Sequence, residues 1–185
     1  ISSVVPPVLD AIKQPIKTLV KKDPIIIGPG IKTGLNILMD NPAQLGSDLV
    51  VNSVACLNEF NPPLIIIDMG TATTISVIDK NKNYIGGCII PGVKISLNAL
   101  SSMTAQLPHI SLDEPKKTIG TNTIDCMKSG IVLGSASMID GMIDRIEEDL
   151  GSKTTVIATG GIANHIIPFC KKDIIYDDNL LLKGL

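Results

Sequence analysis

The chain has 185 residues, 44% hydrophobic and 18% charged, with a formal net charge of -2, a composition that can bury a core and argues against disorder. With 2 Phe, 2 Tyr and no Trp, it lacks both the basic footprint and the stacking aromatics of a nucleic-acid binder, so small-molecule chemistry is the expectation. Cys56, Cys88, Cys126 and Cys170 are isolated, no C-x-x-C pair or signal-peptide layout occurs, and no apolar run approaches the ~18 residues of a membrane span. These features speak against a zinc site, a disulfide framework and a membrane, and for a reducing cytoplasm.

Ile1 to Val5 has strand character and is stopped by Pro6-Pro7. Val8, Leu9, Ile12, Ile16, Leu19 and Val20 recur near helical spacing, with Pro15 as the objection to an unbroken helix. Asp23 to Ile27 reads as a short buried strand ending at Gly28-Pro29-Gly30, and Gly28 to Gly34 (GPGIKTG) as a plain strand-to-helix connection that carries Lys32 and Thr33. Asn41 and Pro42 are expected as the N-cap and first residue of a helix running to Pro62. Leu45, Leu49, Asn52, Cys56 and Phe60 would share one of its faces. Asp48 falls in the early turns, at the positive end of the helix dipole, where a carboxylate stays ionised. It is either a solvated helix-start acid or a base beside Gly46, where a substrate hydroxyl can approach closely.

Pro63 to Ile78 (PLIIIDMGTATTISVI) joins two buried, β-branched strands through a polar turn. Asp68, Gly70, Thr71, Thr73 and Thr74 suit two readings: a hairpin turn chosen for backbone geometry, or a loop that holds a phosphate and its metal through hydroxyls and exposed N–H groups. Tyr84 to Ile90 adds a third strand, making an antiparallel meander. Val93 to Met103 reads as a helix and Gln106 to Lys117 as a loop. Thr121-Asn122-Thr123 caps the longest helix, whose apolar positions run from Ile124 to Leu150 before Gly151 closes it. Gly130, Gly134, Ser135, Ala136 and Ser137 would let another backbone come close, from this chain or from a second copy. Thr154 to Ala158 is a strand leading into Thr159-Gly160-Gly161, a turn against which a phosphate or flat ligand can lie, and then into a helix to about Cys170. Asp173 to Tyr176 is a last short strand, and Asn179 caps a final helix.

Residues 1–62 therefore read as strand, helix, strand, helix, and residues 64–185 repeat that order behind a three-stranded meander. In an actin-like or sugar-kinase-like duplication each half carries a meander and a phosphate loop. On that architecture residues 1–62 are the remainder of an N-terminal lobe that is incomplete at its N-terminus, and residues 63–185 form the C-terminal lobe. The start at Ile1 rather than Met agrees with that expectation.

The motif blocks, taken in order, resemble those of type III pantothenate kinase, a family of the actin-like and sugar-kinase superfamily. They are SSVVPP (Ser2 to Pro7), GPGIKTG (Gly28 to Gly34), DNPAQLGSD (Asp40 to Asp48), DMGTATT (Asp68 to Thr74), GGCIIPGVKIS (Gly86 to Ser96), IGTNT (Ile119 to Thr123) leading into MKSG (Met127 to Gly130), and TGGIA (Thr159 to Ala163). They cover nearly the whole chain.

The resemblance implies an α/β fold of duplicated ribonuclease-H-like, actin-like ATPase lobes, and transfer of the ATP γ-phosphoryl group to the primary hydroxyl of pantothenate, the opening step of coenzyme A synthesis. It implies Asp48 as proton acceptor, Gly46, Ser47, Leu49 and Thr123 with Asp48 around pantothenate, and Gly70, Thr71, Gly160 and Gly161 near ATP. Asp68 would hold a monovalent cation, potassium or ammonium, and Mg²⁺ would accompany ATP through ligands the sequence does not place. A homodimer involving the helix of residues 124–150 is implied as well.

Two departures stand out. Leu49 occupies a position where the family often has arginine, which removes one bidentate anion contact. The first phosphate loop of the family has no counterpart here, so this stretch alone is expected to be inactive. A catalytically silent relative that regulates transcription is the competing reading, and another kinase of the superfamily is a third. Intact Asp48, Asp68, Thr71 and Thr123 favour the enzyme.

Overall fold

The computed structural model describes residues 1–3, 5–28 and 31–185. Its centre is a six-stranded mixed sheet in the order β1-β4-β3-β2-β5-β6. The strands are β1 (Asn36–Ile37), β2 (Leu64–Met69), β3 (Ala72–Ile78), β4 (Asn83–Pro91), β5 (Thr155–Thr159) and β6 (Ile175–Tyr176). β3 runs antiparallel to β2 and β4. The pairs β1–β4, β2–β5 and β5–β6 are parallel. From Leu64 onward, a central first strand thus has the rest of its meander on one side and the crossover strands on the other. This is the arrangement of a ribonuclease-H-like lobe.

Six helices accompany the sheet among the described residues: α1 (Pro6–Val20), α2 (Ser47–Glu59), α3 (Val93–Ser102), α4 (Thr123–Leu150), α5 (Ala163–Ile166) and α6 (Leu180–Gly184). β2 is apolar on both faces because both are covered. On one side Ile65, Ile67, Met69, Ile75 and Val77 pack with Val93 and Leu97 of α3, Val132, Ile139 and Ile143 of α4, and Ile166 of α5. On the other, Leu64, Ile66, Ile78 and Ile157 meet Ala55 and Cys56 of α2 and Leu180 of α6. Alternation along the strand places Asp68 on the α2 side. α2, in the N-terminal part of the expected division, therefore packs on the sheet built from the C-terminal part.

Several local expectations are corrected. Residues 1–3 and 5 form no strand, and Val4 lies outside the described residues. The terminal ammonium of Ile1 donates to the Ile25 carbonyl at 2.7 Å, and the Ile27 N–H donates to the Ile1 carbonyl at 2.8 Å. That is a single rung of pairing on either side of Ile26, too little for the ladder that stabilises a strand, so residues 23–27 form no strand. Pro29 and Gly30 of the GPGIKTG loop also lie outside the described residues.

Asn41 and Pro42 start a 3-10 turn (Pro42–Gln44) instead of the long helix, with Asn41 Oδ1 accepting the Ala43 N–H at 3.2 Å. Leu45 (ψ 123°) and Gly46 (ψ 141°) are extended, which interrupts the helical path, and α2 begins at Ser47 with Gly46 as its N-cap. Pro15 leaves α1 continuous. It removes one N–H donor, and Ala11, whose carbonyl loses that partner, is exposed to water. The helix expected to reach Cys170 stops at Ile166 and passes into a 3-10 turn (Ile167–Phe169), where Pro168 supplies no donor.

Candidate active site

α2 presents Asp48 in its first turn, with its Oδ1 accepting the Leu49 N–H at 3.0 Å. Four residues on, the same face carries Asn52. Asn52 is only 1% exposed. Its Nδ2 donates to Asp68 Oδ2 at 3.1 Å, while its Oδ1 is buried without a hydrogen-bond partner. The pair joins the middle of a helix to the end of a buried strand.

Asp68 lies in register with Thr74 on β3 and with Thr159 on β5. Directly opposed residues share a face, so the sheet offers a row of hydroxyl, carboxylate and hydroxyl beneath α2. Gly160 follows at φ +97°, and a Cβ built there would lie 2.8 Å from Asp68 Oδ1 and 2.7 Å from the Met69 nitrogen. Only glycine fits both the backbone conformation and the gap. Gly92 is limited by space alone, since a Cβ there would fall 2.0 Å from the Thr71 carbonyl oxygen. The turn after β4 is thereby pressed against the Gly70-Thr71 turn. Thr71 and Gly161 are exposed at their loop tips.

The charges are coupled. Burial raises the Asp68 carboxyl above its ordinary pKa, the negative charge of Asp48 raises it further, and the Asn52 hydrogen bond opposes both. Tyr84, whose hydroxyl lies 3.0 Å from Ser76 Oγ, is raised by burial; the Ser76 hydrogen bond opposes that shift and the charge of Asp48 adds to it. Asp48 thus stands within electrostatic reach of both groups. Among the described residues no group of three or more His, Cys, Asp and Glu could hold a metal ion. One carboxylate among hydroxyl, amide and carbonyl oxygens is a donor set suited to a hard, weakly held cation.

Gly46, Ser47 and Leu49 flank Asp48, and the Ser47 hydroxyl lies 2.9 Å from that of Ser2. Ser47 also lines a cleft of about 730 Å³ with Lys32, Thr33, Asn36, Leu45 and other residues. Lys32 is its single cationic lining side chain among the described residues. The loop read from sequence as a plain connection is therefore a wall of this cleft, and its Lys-Thr pair was the available signal. Asn52 was read only as a position on the helix face; its spacing of four from Asp48 was the clue.

Thr123 is not brought to this group. It is the exposed first residue of α4, which packs on the opposite face of the sheet. It borders a separate cleft of about 450 Å³ with Gln106, Pro108, Asn122 and Ile124. No helix of the described residues is long and apolar enough to cross a membrane.

The family model described as type III pantothenate kinase matches residues 1–145. The type III pantothenate kinase of Halalkalibacterium halodurans is 46% identical over 185 residues, covering 100% of this chain and 73% of that protein. The type III pantothenate kinase of Bacillus cytotoxicus is 44% identical over the same span and is covered to 71%. Among solved structures, a conserved putative Baf family transcriptional activator from Campylobacter jejuni aligns with a TM-score of 0.62 at 22% identity, covering 95% of this chain and 75% of that one. At that identity the likeness shows a shared fold.

Proposed function

Since the chain belongs to the type III pantothenate kinase family, we propose that it transfers the γ-phosphoryl group of ATP to the primary hydroxyl of pantothenate, the first step of coenzyme A biosynthesis. The observation that carries this reading is the placement of Asp48 and Asp68 on one side of the sheet, within electrostatic reach of each other, with Asn52 bonded to Asp68.

Asp48 is the proton acceptor. As the bond from the pantothenate oxygen to the γ-phosphorus forms and the β–γ bridging bond breaks, the hydroxyl proton passes to the Asp48 carboxylate and ADP leaves. Such transfer depends on alignment and charge neutralisation. Gly46, Ser47 and Leu49 line the acceptor beside Asp48. Lys32, which lines a cleft together with Ser47, supplies the positive charge for the pantothenate carboxylate that arginine at position 49 would otherwise give. Gly70 and Thr71, with Gly160 and Gly161, form the nucleotide turns. The close packing supports this, because it presses the Gly70-Thr71 turn against Gly92 and the end of β2 against Gly160.

Asp68 is the residue that would hold a monovalent cation, potassium or ammonium, and such an ion, when bound, offsets phosphate charge. The half-buried carboxylate, with the Asp48 charge nearby and Thr74 and Thr159 opposite it in the sheet, fits such an ion. Mg²⁺ enters with ATP.

Residues 63–185 are proposed as the C-terminal lobe and residues 1–62 as part of the N-terminal one. We place the dimer contact on α4, where Gly130, Gly134, Ser137 and Gly141 form an exposed stripe and an added Cβ at each of the three glycines would meet nothing within 4 Å. A cytoplasmic location goes with this function.

The test is pantothenate-dependent ADP release by the purified protein with Mg-ATP, in potassium, ammonium or choline chloride, with phosphopantothenate identified by mass. Absence of that product under every cation would overturn the assignment.

A further inference from the structure

Asn52 sits in the middle of α2 at 1% exposure, beside buried Val51, Ser53, Ala55 and Cys56. An amide is an unusual occupant of such a position. One end of it is satisfied by Asp68 Oδ2, and the carbonyl end of the same planar group has no partner. Burial of a half-matched amide disfavours the fold relative to an apolar side chain, so core packing does not account for it.

The two oxygens of Asp68 are treated differently. Oδ2 is tied to α2 by the Asn52 donor, whereas Oδ1 faces the space that Gly160 leaves by having no Cβ. The terminal torsion of an aspartate is broad and two-fold, so without an anchor the carboxylate could turn. Asn52 is a neutral donor one helical turn from Asp48, and the donor end of its amide points at Asp68.

We propose that Asn52 is the positioning residue of the cation site: by fixing Asp68 Oδ2 it presents Oδ1 toward the Gly160 turn, where the cation and the nucleotide phosphates are to be held. The proposal rests on the reading of Asp68 as the cation-holding residue. It assigns Asn52 no contact with substrate; its effect runs through Asp68.

The test is thermal unfolding of the full chain with a non-hydrolysable ATP analogue, in equimolar potassium chloride or choline chloride, titrated to give the potassium concentration for half the shift. The wild type is expected to melt higher in potassium, and Asp68→Asn to lose that increment. Asn52→Leu is expected to raise the half-shift concentration at least tenfold. Asn52→Ala, which removes the donor without adding bulk or charge, guards against overpacking in the leucine variant and should do the same. A merely structural role would lower melting equally in both salts and leave the increment intact. If both Asn52 variants keep the increment while Asp68→Asn loses it, the positioning role is overturned and the cation reading stands. A wild type without any increment, or an Asp68→Asn variant that retains it, overturns both.

Discussion

A Cβ at Gly160 would sit 2.8 Å from Asp68 Oδ1, so the turn after β5 and the carboxylate at the end of β2 compete for one small volume. Gly160→Ala adds that atom at φ +97°, where an L side chain is already strained. The variant is expected to lose about 1–3 kcal/mol of stability, read by urea unfolding. Its catalytic loss should appear in kcat/KM for ATP more than in KM for pantothenate. Equal activity with both substrates unchanged would separate this turn from the nucleotide.

Asp48→Asn keeps the shape of the first turn of α2 and removes the proposed proton acceptor. Turnover should fall by about 10²–10⁴-fold, the usual share of general base catalysis. Binding of ATP, followed by calorimetry, should stay near the wild-type value. Full turnover would remove Asp48 from its role.

Lys32→Ala tests the cleft. A charge-assisted contact is worth about 1.5–3 kcal/mol, so KM for pantothenate should rise by roughly ten- to a hundred-fold with kcat little changed. Because the contact is ionic, lysine replaced by arginine should recover much of the loss. A rise in the ATP KM alone would place Lys32 with the nucleotide.

Glu147 gives the fold a pH dependence away from the site. Buried at 9% exposure near the C-terminal end of α4, it accepts from Lys153 Nζ at 2.6 Å, the Thr154 N–H at 2.9 Å and the Thr154 hydroxyl at 3.1 Å. Burial by itself would raise its pKa, yet these donors outweigh it and hold the carboxyl below the usual glutamate range. A depressed folded-state pKa means that the stabilisation is present above the unfolded value and is lost as pH falls through the folded one. Glu147→Gln should therefore cost about 1 kcal/mol at neutral pH and little in strong acid, where wild type and variant converge in urea melts. A constant gap across that range would point to packing alone.

The parts of the fold governed by local chemistry were legible in the sequence. The meander from Leu64 to Pro91, the capped helix from Thr123 to Leu150 and its left-handed close at Gly151 all follow from β-branched runs, an Asn cap and a glycine. The beginning of α2 was not, because Asn41-Pro42 is as good a start for a 3-10 turn as for a helix, and what decides is the extended backbone at Leu45 and Gly46. The strand expected at Ile1 to Val5 depended on a partner, which local sequence does not provide. In the site, Asp48 and Asp68 were identifiable as residues, but their coupling was not. It arises because α2 covers the very face on which β2 places Asp68, and Asn52 gains its role only once that packing exists.

The docking of α2 also limits what can move during catalysis. The helix that carries Asp48 is fastened to the sheet that carries Asp68 through Ala55, Cys56, Leu64 and Ile66, and the two elements behave as one body. Any hinge within residues 1–46 would leave the spacing of these acids unchanged. Acceptor and nucleotide must then come to a charge pair whose geometry was fixed at folding, and variants that loosen α2 from the sheet should act on the reaction as strongly as variants of the acids themselves.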